Sequence, residues 1–214
     1  MSREIELKVP LTLAQFERIE KILTQKEQLS SINIRGLSHI IKADEYFSRY
    51  QTHEERIKNN ELRVIRLRTE NDGTGEKAFF CIKRKTIENG IEFNSEKETF
   101  VEDADVLRSF FEASGFIRWF EKKKDALSVF CALSETPGFE AHLELEKVNS
   151  LPYIEIEYTK DDLPADEVRY GLEKILLTLG VDPKNRDSRS WAEIVETISN
   201  EQLAISNEQL AMSN

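Results

Sequence analysis

The chain has 214 residues, 39% of them hydrophobic, and 40 acidic against 30 basic residues give a formal net charge of −10. That length and apolar content allow one sizeable core in a single domain, and the acidic balance excludes a general binder of nucleic acid or anionic membrane, which needs a basic surface. No apolar run approaches the ~18 residues of a membrane helix, and the opening Met-Ser-Arg-Glu-Ile-Glu lacks the apolar stretch of a signal peptide, so a cytoplasmic location is expected.

Residues 4–9 alternate charged and apolar, the period-2 pattern of a strand with one buried face. Thr12 and Gln15 have capping-box spacing, and Phe16, Ile19, Ile22 and Leu23 follow at helical intervals. Strand patterns then run over 40–47, 62–69, 77–85, 96–101, 116–124, 127–133, 141–148 and 153–158. Asp72-Gly73 and Asn89-Gly90 lie between successive runs, where hairpin turns need positive φ, so those strands are expected to pair antiparallel. A second helix is predicted over 105–114, with Val106, Leu107, Phe110 and Phe111 on one stripe and Gly115 ending it. A third is predicted over 166–179, carrying Leu172, Ile175, Leu176 and Leu179 before Gly180.

The segment from Ile198 repeats Ile-Ser-Asn-Glu-Gln-Leu-Ala twice. Its Ile and Leu recur at spacings of five and two, which makes no coiled-coil seam. Residues 197–214 are therefore set apart as a frayed or partly helical tail, with the folded domain ending near 196.

Many strands with three helices and no βαβ alternation indicate an α+β domain on a large antiparallel sheet. The polar positions of the strands are segregated by sign: Glu4 and Glu6, followed by Lys8, then Arg66 and Arg68, then Lys83 and Lys85, then Glu96 and Glu98. An open sheet would show mixed charge to solvent, so a closed barrel with a polar lumen is expected. The pairs Glu4/Glu6, Glu96/Glu98, Glu144/Glu146 and Glu155/Glu157 are two apart in strands, so each lies on one face, roughly 6.5–7 Å apart along the chain. Converging, they form an oxygen-rich site suited to Mg2+ or Mn2+. Arg66 with Arg68, Lys83 with Lys85 and Lys122 with Lys124 likewise share faces and supply the forks and point charges that phosphate oxygens need. On this reading the empty lumen is strained by repulsion among Arg66, Arg68, Lys83 and Lys85. Arg63, Arg84 and Lys123 fall on the opposite parity and are expected to point outward, with Arg118 assignable to either side.

Little else in the sequence suggests chemistry. Cys81 and Cys131 sit in apolar runs and read as packing residues; His39, His53 and His142 lack zinc-ligand spacing; Ser95 and Ser128 show no His/Asp partner pattern that would mark a serine hydrolase.

Glu4-Ile5-Glu6-Leu7-Lys8 resembles the N-terminal ExExK signature of the CYTH superfamily, the triphosphate tunnel metalloenzymes. The likeness continues in order through Asp44-Glu-Tyr-Phe47, Ile65-Arg-Leu-Arg68, Phe80-Cys-Ile-Lys-Arg-Lys85, Asn94-Ser-Glu-Lys-Glu98, the Lys122/Lys124 strand, Leu143-Glu-Leu-Glu146, Tyr153-Ile-Glu-Ile-Glu157 and Ser188-Arg-Ser-Trp-Ala-Glu-Ile194. The resemblance implies an eight-stranded antiparallel barrel open at both ends. It makes Glu4, Glu6, Glu155 and Glu157 metal-side carboxylates, with Glu144 and Glu146 close by and Glu4, Glu6 and Lys8 at the catalytic centre. Lys8, Arg66, Arg68, Lys83, Lys85, Lys122 and Lys124 would contact a triphosphate, and Glu96 and Glu98 would orient those bases or a second metal. Three positions depart from the family pattern: Asn94 stands where Arg is common, Ser150-Leu-Pro-Tyr153 replaces a Gly-containing turn, and the pair at 122 and 124 is Lys/Lys rather than Lys/Arg.

The activity implied is Mg2+- or Mn2+-dependent hydrolysis of tripolyphosphate or of a nucleoside or organic triphosphate. A class IV-type adenylyl cyclase and a non-catalytic polyphosphate-binding module stand as alternatives. The expected partner is a small-molecule triphosphate, with no nucleic acid and no membrane, and the sequence allows a homodimer.

Overall fold

The computed structural model describes residues 2–25, 29–61, 63–88 and 91–198. Eight strands are formed: β1 (Ser2–Pro10), β2 (Ile32–Ser48), β3 (Arg63–Asn71), β4 (Glu76–Glu88), β5 (Ile91–Val101), β6 (Ile117–Leu133), β7 (Glu140–Val148) and β8 (Leu151–Tyr158). They close into an antiparallel barrel in the order β1-β5-β4-β3-β2-β6-β7-β8, so the fold is α+β as expected. The patterns over 116–124 and 127–133 belong to one strand, β6, because Asp125 points outward beside His39 and interrupts nothing. β2 begins eight residues before its predicted start; Gly36, at φ +71, and a register shift between Arg35 and Ser38 disguise its alternation. The Asn89-Gly90 turn lies outside the described residues, and so do tail residues 199–214.

The helices are α1 (Leu13–Gln25), α2 (His53–Lys58), α3 (Ala104–Ala113), α4 (Ala165–Thr178) and a segment over 191–198, α5. The capping box of α1 is made: the Gln15 amide donates to Thr12 Oγ1 at 3.2 Å, and the Thr12 amide donates to Gln15 Oε1 at 2.9 Å. The sequence reading lacked α2 and α5; α2 is a six-residue turn, too short for a periodic stripe, capped by Thr52.

Outward-facing Ile5, Leu7 and Val9 of β1, Leu143 and Leu145 of β7 and Ile154 and Ile156 of β8 pack under α1 and α4 as the main core. The fit is close at Gly171 of α4, where a Cβ would stand 2.3 Å from the Phe139 ring. On the opposite flank Phe111 of α3 joins Phe47 and Leu67 in a smaller cluster. Trp191 and Ile194 of α5 pack on Val148 and Tyr153 at one end of the barrel. Strand alternation turns every second side chain of this wall inward, and those side chains build the site.

Candidate active site inside the barrel

Register places the inward residues as a grid. Glu6 of β1 faces Glu157 of β8 on one side and Glu92 of β5 on the other, and Lys8 faces Glu155. Across β8, Glu155 faces Glu144 and Glu157 faces His142. On the far wall Lys83 pairs with Glu96, and Asp44 of β2 sits between Arg68 and Lys122. These strands enclose a cavity of about 610 Å3, within the ~300–1,000 Å3 typical of ligand sites. Glu4, Glu6, Lys8, Arg66, Arg68, Lys83, Lys85, Glu96, Glu98, Lys122, Lys124, Glu144, Glu155 and Glu157 all line it, while Glu146 lies fully buried in the wall behind. Arg63, Arg84 and Lys123 are exposed, and Arg118 is outside too, bonded to Glu45.

The expectation of a lumen strained by repelling cations is wrong. Arg68 grips Asp44 with two hydrogen bonds of 2.6 and 3.0 Å, and Arg66 donates to Glu96 and Glu98 at 2.9 and 3.1 Å. Lys83 lies 3.5 Å from Glu6 and 3.7 Å from Glu96; Lys85 pairs with Glu92, and Lys42 with Glu144. Burial would raise the Asp44 carboxyl, yet Arg68, Arg66 and Lys122 hold it well below the usual carboxylate range. The strands alternate sign more than the sequence reading allowed, since Lys42 and Asp44 share the inner face of β2.

Carboxylates are in excess. Eight acids and eight bases face the cavity along the strands, counting Glu92 and Lys42 with the residues named above, and Asp44 and Glu146 add two buried acids. Burial, then the charge of Glu157, pushes Glu4 up to about 7; burial, then Glu92, does the same to Glu6. Asn94 lies between Glu6 and Glu92, donating to them at 3.1 and 3.0 Å, so an amide stands where a cation would neutralise both. Oxygens of Glu144, Glu146 and Glu155 lie within 4.8 Å of one another. The Lys124 ammonium sits among them, 2.6 Å from Glu146 and 3.8 Å from Glu144, but neither buried Glu146 oxygen accepts a hydrogen bond of good geometry. Burial, then Glu155, raises Glu146 to about 8.

The unbonded Glu146 oxygens, beside Glu155 and near carboxylates that hold protons near neutrality, fit a hard divalent cation, which would take the place the Lys124 ammonium now fills among them. The cluster of Cys81, Glu96 and Glu98 fits one poorly, because Arg66 already bonds both carboxylates and burial pushes the thiol up to about 12.

The segment before α5 closes over the basic end. Lys8 donates to the Arg189 carbonyl at 2.6 Å and Lys85 to the Ser188 carbonyl at 3.0 Å. The Trp191 ring lies 4.9 to 5.7 Å from the ammonium groups of Lys8, Lys122 and Lys124, and its Nε1 donates to Glu155. Burial, then Lys124, lowers Lys122 to about 7.

Sequence reasoning missed several of these groups. Lys42, Glu92 and Trp191 line the cavity; Lys42 shares the parity of Asp44 within the expected 40–47 run, and Glu92 follows from parity once β5 is given its full length. Cys81 is not mere packing, since it lines the cavity 3.0 Å from Glu96. His142 and Ser128 do have partners: Ser128 Oγ is 2.7 Å from His142 Nε2, and His142 Nδ1 is 2.9 Å from Glu157. No spacing reveals that contact, because it runs across three strands.

No family model and no curated protein matches the sequence. Solved structures do. The PH1819 protein of Pyrococcus horikoshii OT3 aligns with a TM-score of 0.67 at 20% identity, covering 91% of this chain and 98% of its own. A Vibrio parahaemolyticus protein named as a candidate adenylate cyclase gives 0.62 at 16%, covering 90% and 97%. A Hippeastrum protein, HpAC1, described as a candidate adenylyl cyclase with dominant triphosphatase activity, gives 0.52 at 13%, covering 85% and 89%. At these identities the likeness is one of fold: this chain has the closed barrel of those proteins over nearly its whole described length. Among the described residues no helix is long and apolar enough to cross a membrane.

Proposed function

We propose that this protein is a Mg2+- or Mn2+-dependent phosphoanhydride hydrolase of the triphosphate tunnel type, acting on tripolyphosphate or on an organic triphosphate in the cytoplasm. The observation that carries the reading is the charge of the barrel interior: with Asp44 and Glu146 buried in its wall, the carboxylates outnumber the cations, and Glu4, Glu6 and Glu146 are left under-neutralised. Such a lumen repels a bare polyanion and welcomes one that arrives with metal. The ordered motifs from Glu4-Ile-Glu-Leu-Lys8 to the last glutamate pair, and the barrel shared with the Hippeastrum protein, support the same assignment.

In this reading Glu4, Glu6, Glu155 and Glu157 hold the cation, with Glu144 and Glu146 beside them. A divalent ion bound there supplies charge neutralisation and a more acidic attacking water. Lys8, Lys83, Lys85, Lys122 and Lys124 receive phosphate oxygens. Arg66 and Arg68 present guanidinium groups pinned in place by Glu96, Glu98 and Asp44, so they need little reorganisation as charge develops on the leaving phosphate. Lys8 and Lys85 exchange their carbonyl partners in the 188–189 segment for ligand oxygens. Water attacks the terminal phosphorus, and the bridging P–O bond breaks with its electron pair passing to the remaining phosphate chain, which leaves. The water's proton passes to a phosphate oxygen or to solvent, and the attacked phosphorus is released as orthophosphate.

The test offers the purified protein tripolyphosphate, ATP and thiamine triphosphate with each metal, and quantifies orthophosphate, pyrophosphate and cyclic AMP. Metal-dependent orthophosphate release is expected. Cyclic AMP with pyrophosphate would assign a cyclase instead, and tight binding without turnover would assign a polyphosphate-binding module.

A further inference from the structure

We propose that His142 is a positioning residue that fixes the metal-side carboxylate Glu157, through a relay beginning at Ser128; the proposal rests on the metal-dependent reading above. The three residues lie on adjacent strands, Ser128 on β6, His142 on β7 and Glu157 on β8. Ser128 is buried behind the imidazole, whereas His142 and Glu157 line the cavity. An ionised carboxylate accepts hydrogen bonds but cannot donate them, so the 2.9 Å contact requires the proton of His142 to sit on Nδ1. The 2.7 Å contact from Nε2 to Ser128 Oγ is then satisfied whichever way the hydroxyl turns: it donates to a neutral ring or accepts from a charged one. The hold on Glu157 is therefore a fixed part of the site in either state of the ring.

That hold occupies Glu157 Oε1 and leaves Oε2 for a cation. Glu157 directly faces Glu6 across the β1–β8 pair, so its orientation decides whether the two carboxylates act on one ion. Partners of this kind set the rotamer and basicity of a metal ligand, and losing one costs about 10–100-fold in metal affinity. The arrangement resembles a nucleophilic triad in composition only: buried Ser128 lies behind the ring, and the acid, not the serine, borders the cavity alongside the imidazole.

The experiment measures Mn2+ binding to the full-length, substrate-free protein by electron paramagnetic resonance titration, together with melting temperature and the metal dependence of tripolyphosphate turnover. H142F removes both nitrogens and should weaken Mn2+ about tenfold or more. H142N returns an N–H near the Nδ1 position and should recover most of the affinity. S128A frees the ring without touching Glu157 and should fall between. At saturating Mn2+ the KM for tripolyphosphate should be unchanged in all three. Mn2+ affinity within twofold of wild type in folded H142F overturns the positioning role, and should H142F not fold, S128A within twofold of wild type, or H142N weakened tenfold or more, overturns it equally. Wild-type protein that binds no Mn2+ sinks the metal-dependent reading itself, a separate failure visible before any variant is made.

Discussion

On β1, β7 and β8 the outward side chains Ile5, Leu7, Leu143, Leu145, Ile154 and Ile156 are packed under α1 and α4, while their inward neighbours, one residue along, are Glu4, Glu6, Glu144, Glu146, Glu155 and Glu157. The outer face is complete in itself: it is apolar, close-packed and indifferent to ligand. The inner face is incomplete, with more acid than base and buried oxygens that lack hydrogen bonds. One wall thus carries most of the hydrophobic stabilisation on one side and an unmet demand for positive charge on the other, and a single step in sequence separates the two.

The largest expected effect tests that step directly. Glu157→Gln keeps side-chain volume but weakens a hard-cation ligand, and should lower turnover at least about a hundredfold with little change in melting temperature. Ile156→Ala, its neighbour with no exposure, should do the reverse, costing about 2–5 kcal/mol of stability while the folded fraction keeps its kcat. Turnover measured beside a denaturant titration on both variants checks the pair; near-normal turnover in Glu157→Gln would remove the metal site from this wall.

The division between faces was legible in the sequence wherever alternation was unbroken. Glu4 to Val9, Leu143 to Glu146 and Ile154 to Glu157 each declare two faces by period alone, and the inward placement of Arg66, Arg68, Lys83 and Lys85 followed from parity. What escaped needed cross-strand register or irregular backbone. Asp44 was visible as a motif residue, but nothing along the chain says that β2 runs beside β3 and β6 and sets it between Arg68 and Lys122. The Ser128–His142–Glu157 contact was hidden for the same reason, and the early half of β2 was masked by its bulge near Gly36.

Asp44 makes the next prediction, since it converts the expected repulsion into attraction. Arg68→Ala takes both guanidinium hydrogen bonds from a carboxylate that is 1% exposed, leaving it Lys122 at 3.5 Å, and should destabilise the metal-free protein by about 3 kcal/mol. Replacing Asp44 by Ala in the same chain should restore much of the loss. Chemical denaturation of the two singles and the double decides it, and a stabilised Arg68→Ala would reinstate the repulsive lumen.

A smaller effect is expected from pH. Folded Glu4 and Glu6 hold protons to about 7, whereas unfolded glutamates release them near ~4.3. Between those values the folded state binds more protons, so these two groups make stability fall as pH rises through that window. Asp44 and Glu155 are held below the ordinary range and contribute the opposite slope, but only at more acid pH, where their stabilisation is lost as they protonate. The metal-free melting temperature should therefore decline from about pH 5 towards 7, and Mg2+ should flatten the decline by binding the ionised forms. Melting curves across that range, with Mg2+ or with EDTA, check the sign; a decline untouched by Mg2+ would mean that the excess acids serve no cation.

The smallest effect concerns two adjacent lysines and asks whether the faces are as separate as their exposure indicates. Lys122 is buried among Asp44, Lys124 and the Trp191 ring, and Lys123 points into solvent from the same strand. Lys123→Ala removes a charge that pairs with nothing inside the barrel, and should shift stability by no more than about 0.5 kcal/mol. It should also leave intact the rise in melting temperature that tripolyphosphate with Mg2+ produces. Lys122→Ala removes a phosphate-facing cation and should cut that ligand-dependent rise, because the gain scales with RT ln(1 + [L]/Kd) and a weaker Kd enters directly. Burial already makes the Lys122 ammonium costly, so its removal should affect the metal-free protein little. Thermal shifts for both variants, with and without tripolyphosphate and Mg2+, separate the cases. Equal ligand-dependent rises in the two would show that the inner cations do not contact the anion, and the outer and inner faces would then differ in packing alone.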